Sequence, residues 1–191
     1  MPKLYFPHTP LSNRWATLTH THISVLKLFF FYAVPLSVLP PLMFYYAGVT
    51  YGGKGLPLLS SAQLQLLGTV FFLTELAMTF LVAYIVQSLV EWVDSKPAFE
   101  DAYKLAVVVP TPLWLVSLFL FIPSFIVNIT AGAAALILSA ILIYYTAPSL
   151  LKVEERGHAI LLSGSILSAG MVAWALMMYI TLLTWNWISV A

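Results

Sequence analysis

The stretch QLLGTVFFLTELAMTFLVAYIVQSLVEW, residues 65–92, decides the fold class. Apart from Glu75 it carries no charge until Glu91 near its end. About 20 predominantly apolar residues suffice for a helix to cross a hydrocarbon core roughly 30 Å thick. This stretch is longer than that, so a helix made from it is expected to tilt or to protrude from the bilayer.

The rest of the chain has the same character. Of its 191 residues 61% are hydrophobic and only 8% are charged, with a mean hydropathy of +0.96. Soluble domains carry about 25% charged residues, so the solvent for most of this chain must be lipid. A net charge of +1 gives no sign of a nucleic-acid partner. The absence of cysteine excludes disulfides, iron–sulfur clusters and thiolate zinc sites.

Working outward, the sequence predicts an all-α, polytopic membrane bundle of about five helices, several of them kinked by proline. Residues 1–22 read as a cytoplasmic segment, with Arg14 and Trp15 as an interfacial anchor. Residues 23–191 read as one transmembrane domain, with spans at about 23–47, 65–92, 103–125, 131–147 and 159–185. The first apolar run exceeds the roughly 7–15 residues of a signal peptide's core, so it is expected to stay as a span. Pro148 is expected to end the fourth span, and Asn128-Ile129-Thr130 to connect it tightly to the third. That tripeptide matches a glycosylation sequon, which its place against the membrane should leave unmodified.

Orientation follows from Lys and Arg in the short loops. With five spans, Lys3, Arg14, Lys27, Lys96, Lys104, Lys152 and Arg156 share the side of the N-terminus, and Lys54 alone lies opposite. The N-terminus is therefore expected in the cytoplasm and the C-terminus outside, with Trp185 and Trp187 as an outer aromatic belt.

Proline is the most specific feature. Each one inside a span removes an N–H donor and clashes with the carbonyl four residues back. Pro35, Pro110, Pro112 and Pro123 are candidate breaks or hinges, and a carbonyl freed near Ala106 or Val108 should find a polar partner. Such breaks either let helices pack round one another or expose backbone to a ligand. Glu75 is the only acid inside a span, and an intramembrane carboxylate is costly. With no basic residue at its depth, it is expected to face the bundle interior, protonated and donating a hydrogen bond to a hydroxyl or carbonyl; a proton relay is the functional alternative.

Small residues fill the fourth and fifth spans, among them Gly132, Gly164, Ser168 and Gly170. They suit close helix packing, mostly within the chain, with a homodimer seam as the alternative. His20 and His22 are weak candidates for holding a metal, since a real site needs three or four supported ligands. No phosphate loop, His-Glu-x-x-His or Gly-x-Ser-x-Gly occurs, so neither an enzyme nor a cofactor is expected.

Asp101-Ala102-Tyr103-Lys104-Leu105, Pro110-Thr111-Pro112-Leu113-Trp114 and Ile122-Pro123 resemble the central signature of the Yip family, the Ypt/Rab-interacting membrane proteins. The residues from Tyr144 to Val153, with Pro148 among them, fit the end of that family's fourth span. The likeness is to its small bacterial inner-membrane branch and singles out Tyr103, Thr111, Pro112 and Pro148. It implies five spans and no catalytic residues. Eukaryotic members act in vesicle traffic through Rab GTPases, which bacteria lack, so the resemblance implies a fold more than a partner. The expected function is non-enzymatic lateral association with lipids, with other membrane proteins or with itself, in a bacterial inner membrane. The alternatives are a small transporter or channel using Glu75 and the broken helices, and an accessory subunit of a larger complex.

Overall fold

The structure, a computed structural model, describes residues 24–52, 59–92, 97–153 and 155–190. All regular structure among them is helical. Five stretches are long and apolar enough to cross a membrane: Val25–Tyr51, Ser61–Glu91, Phe99–Phe121, Phe125–Leu150 and Arg156–Ile188. Large apolar side chains face outward along them, with Phe31 at 83%, Phe125 at 80% and Ile126 at 77% exposure. Water would not tolerate such a surface, whereas lipid tails are as apolar as these side chains.

Helix starts are set by local capping. Ser60 and Gln63 form a reciprocal capping box, which starts the second helix at Ser61, ahead of the expected 65. Ser124 accepts the Val127 N–H and starts the fourth helix at Phe125. Asn128-Ile129-Thr130 is therefore helical, and the connection lies at Ile122–Ser124. Ile122 is extended, as the residue before a proline tends to be, so Pro123 sits in the turn. The Asn128 Nδ2 donates to the carbonyls of Ile122 at 3.0 Å and Ser124 at 2.9 Å and braces that turn. The third helix begins at Phe99, earlier than expected, with Glu100 and Asp101 in its first turn, where the helix dipole favours acids.

Changes of helix type occur near Pro35, Pro40, Pro41, Pro110 and Pro112. The first span passes from α-helix (Val25–Leu28) through a π-helical turn (Phe29–Ala33) into α-helix at Val34–Ser37 and Leu39–Tyr51. Pro35 follows the wide turn, and Pro40 and Pro41 stand just after the second restart at Leu39. The third span is α-helical over Phe99–Val108, restarts at Thr111–Val116, and ends as a 3-10 segment at Ser117–Phe121. Pro148 does not end the fourth helix but lies inside it. The helix runs two residues further, to Leu150. The Val153 N–H bonds the Pro148 carbonyl and the Leu151 N–H that of Ala147, with Lys152 at φ 57°. This is a Schellman end, which usually recruits glycine at the left-handed position.

Two apolar clusters hold the charged end of the bundle. One joins the second, third, fourth and fifth spans through Val86, Val90, Leu105, Ile143, Leu150 and Leu162. The other packs Ala33, Ala83, Tyr103, Val107 and Trp114, from the first three spans. Contacts at the opposite end fix the antiparallel arrangement. The Tyr51 hydroxyl donates to the Phe121 carbonyl at 3.0 Å, and Gln63 Nε2 to that of Ile188 at 2.6 Å. Among the described residues every Lys, Arg, Asp and Glu except Glu75 lies at or near the ends of helices on one side of the bundle: Lys27, Glu91, Glu100, Asp101, Lys104, Lys152, Glu155 and Arg156.

Candidate functional site: a polar cluster behind a lateral groove

The third span organises the site. Pro110 and Pro112 have no N–H, so the carbonyls of Ala106 and Val108 lose their donors from four residues ahead. The carbonyl that gains a side-chain donor is the one between them: Thr111 Oγ1 donates to the Val107 oxygen at 3.3 Å. The Tyr32 hydroxyl lies 2.8 Å from the same Thr111 Oγ1. A threonine hydroxyl has one proton, and a carbonyl can only accept. The chain of bonds therefore runs from Tyr32 O–H to Thr111 and from Thr111 O–H to Val107. Tyr32 comes from the π-helical turn of the first span, so two backbone irregularities meet at this contact.

One turn further on, Trp114 is buried and its Nε1–H donates to Glu75 Oε1 at 2.6 Å. Glu75 is 8% exposed. Its other oxygen, Oε2, is enclosed and has no hydrogen-bond partner among the described residues. Glu75 faces the interior as expected, but through this bond it is an acceptor, and its partner is an indole rather than the expected hydroxyl or carbonyl. The Tyr32 ring meets that of Trp114 edge-on at 6.5 Å. Tyr103, buried between Phe80 and Phe99, places its hydroxyl 3.5 Å from Thr79 Oγ1, one turn along the second span from Glu75.

Beside this cluster a groove of about 450 Å³ runs between the third and fourth spans. Its lining is almost wholly apolar and includes Pro112, Leu115, Phe119, Ala134 and Leu138, with Tyr32 and Thr111 also lining it. Glu75 and Trp114 do not line it; they stand behind. Leu115, Phe119 and Leu138 in its lining are exposed side chains of the third and fourth spans.

Other candidates are placed as follows. Pro35 and Pro123 lie away from the cluster in the chain, the first beside the π-helical turn and the second in the turn at Ile122–Ser124. His20 and His22 fall outside the described residues. His158 Nδ1 lies 3.0 Å from Glu155 Oε2, exposed to solvent, and no group suited to a metal occurs among the described residues. Gly132 and Gly170 have open space where a side chain would be, so these two do not mediate close packing within the chain. Gly48 does: a Cβ there would lie 2.7 Å from Leu64 Cδ2. Sequence reasoning did not select Trp114 as a site residue, although a buried indole usually finds an acceptor for its N–H. It also missed that Lys104 is buried, with Asp101 Oδ1 at 3.1 Å.

Five long apolar helices in antiparallel contact, with every charged residue described except Glu75 at or near their ends, define an integral membrane protein. The model of the Yip1 domain matches residues 10–177, and the chain belongs to that family. Of the residues singled out by the resemblance, Tyr103 and Thr111 belong to the cluster, Pro112 lines the groove and Pro148 lies inside the fourth helix. No curated protein and no solved structure matches the chain.

Proposed function

We propose that this protein acts without catalysis, by lateral association within the membrane, and that the groove between its third and fourth spans receives an acyl chain of a membrane lipid. The observation that carries this reading is the character of the groove. It is apolar, with Leu115, Phe119 and Leu138 exposed along it, while Glu75 is buried outside its lining and bonded to Trp114. A transport pathway needs polar groups facing a hydrated passage; here Tyr32 and Thr111 on the groove wall bond to each other, and Glu75 Oε1 accepts from Trp114 outside the lining. We place the N-terminus in the cytoplasm of a bacterial cell and the C-terminus outside its inner membrane. The end of the bundle rich in Lys and Arg supports that orientation.

The test is photo-cross-linking in vesicles of phosphatidylethanolamine and phosphatidylglycerol whose chains carry a diazirine. Adducts are expected on the groove residues, and Ala134→Trp, which fills the groove, should remove them while leaving other adducts in place. Adducts spread evenly over all lipid-facing helices would defeat the reading. A proton or ion flux in liposomes that Glu75→Gln abolishes would replace it with transport.

A further inference from the structure

We propose that the third span is hinged at Val109–Pro110 and that the Tyr32–Thr111 hydroxyl bond is the latch holding its far half, Thr111–Phe121, against the first span. This inference stands on the backbone and its bonds, whatever fills the groove.

The two halves of the span differ in how they are held. Ala102, Tyr103, Lys104, Leu105, Ala106 and Val107 are all buried in succession, so Phe99–Val108 is part of the core. Within Thr111–Phe121 only Trp114 and Ser117 are buried, and Leu115, Leu118, Phe119 and Phe121 are exposed. Between the halves, Pro110 and Pro112 remove two of the backbone donors that would make one rod of the helix. The backbone restarts with Leu113 and Trp114 both donating to the Pro110 carbonyl, at 2.8 and 3.0 Å.

A segment joined so weakly to its own helix takes its position from its neighbours. The far half has three polar tethers, each to another span: Thr111 to Tyr32, Trp114 to Glu75, and the Phe121 carbonyl to Tyr51. The first of these sits at the hinge itself. The Thr111 hydroxyl that receives the Tyr32 proton is the one that donates across the break to Val107, so losing Tyr32 weakens both links. Tyr32 and Thr111 also line the groove, so a swing of the far half away from the first span changes the groove's width.

Tyr32 itself stands in the π-helical turn Phe29–Ala33. Such turns are rare and recur at functional positions. Here the wider turn precedes Pro35 and places the hydroxyl on Thr111.

Because the chain has no cysteine, paired spin labels report the hinge without background. Val49→Cys and Leu118→Cys put labels on exposed positions of the first span and the far half of the third. In the full chain, in lipid vesicles, the latched protein should give one narrow distance. Tyr32→Phe and Thr111→Val should each raise the ratio of a longer-distance population to the narrow one about threefold, the scale of one interhelical hydrogen bond in a membrane. Thr111→Ser keeps the hydroxyl and should restore the single distance. Pro110→Ala in the Tyr32→Phe background returns a donor to the Ala106 carbonyl and should restore it too. Unchanged distances in Tyr32→Phe would overturn the latch, as would Thr111→Ser behaving like Thr111→Val. A longer population that survives Pro110→Ala would overturn the hinge.

Discussion

Trp114→Phe keeps most of a buried ring and removes one donor, so it isolates the bond to Glu75 that ties the third span to the second. In water a buried acceptor left unpaired costs about 1–3 kcal/mol. Inside a membrane the unfolded reference finds partners as well, and measured interhelical bonds average about 0.6 kcal/mol with a maximum near 1.7. The Trp114–Glu75 contact belongs in the upper part of that range. It is short, at 2.6 Å, and its residues are 1% and 8% exposed. A coupling energy of about 1–1.5 kcal/mol is therefore expected from a double-mutant cycle of Glu75→Leu and Trp114→Phe. The single Trp114→Phe change should cost more, about 2 kcal/mol, because it also leaves space where the second indole ring stood.

The assay is reversible unfolding of the full chain in mixed micelles, followed by circular dichroism. Repeating the cycle with Glu75→Gln sharpens it. The amide oxygen still accepts the indole N–H, so stability should be largely kept and the bond should persist between Gln and Trp114. The amide nitrogen falls where Oε2 has no partner, so a small cost, about 0.5–1 kcal/mol, is expected. A Glu75→Leu cycle with coupling indistinguishable from zero would refute the claim that this bond holds the two spans together. A Gln variant that is fully stable yet inactive in any flux assay would show that the carboxyl serves something other than the fold.

Other expectations follow from single positions. Gly48→Ala should destabilise by about 1 kcal/mol through overpacking against buried Leu64, which a thermal melt detects. Gly132→Ala and Gly170→Ala, with nothing within 4 Å, should be neutral or raise Tm through helix propensity. Lys152→Gly should stabilise by about 0.5–1 kcal/mol, since a left-handed backbone strains a side chain and glycine recovers more than it loses in unfolded-state entropy. A reporter fused after Ala191 should be active only outside the cytoplasm, and one inserted at Glu155 only inside; the reverse pattern would invert the proposed orientation.

The fold was legible because composition speaks at the scale of a whole helix. A stretch such as residues 65–92 permits one reading in any context, and five such stretches define the bundle. Boundaries were less legible because they rest on single side chains. Ser60 with Gln63 lengthened the second helix, and Ser124 pulled the start of the fourth back across a tripeptide that looks like a loop. Pro148 misled for a physical reason. Proline near the C-terminal end of a helix costs the one hydrogen bond its missing N–H would make, to the carbonyl of Tyr144, and the helix still gains two residues and a Schellman end beyond it.

The site was half legible. Glu75 announced itself, as any intramembrane acid does. Its partner did not, because Glu75 and Trp114 lie on two helices whose relative rotation cannot be counted through a proline pair. An unbroken third helix would advance in steps of about 100° from Tyr103, which packs near Thr79, and would fix where residue 114 points. At Val109–Pro110 the α-helical bonding is interrupted and Pro110 sits at ψ −2°, which shifts that count, so the folded chain fixes which face Trp114 presents. The same interruption gives Thr111 its dual role, acceptor for Tyr32 and donor to Val107. Thus the residues hardest to place from sequence are those whose position depends on the break, and these are the residues that line the groove and stand behind it.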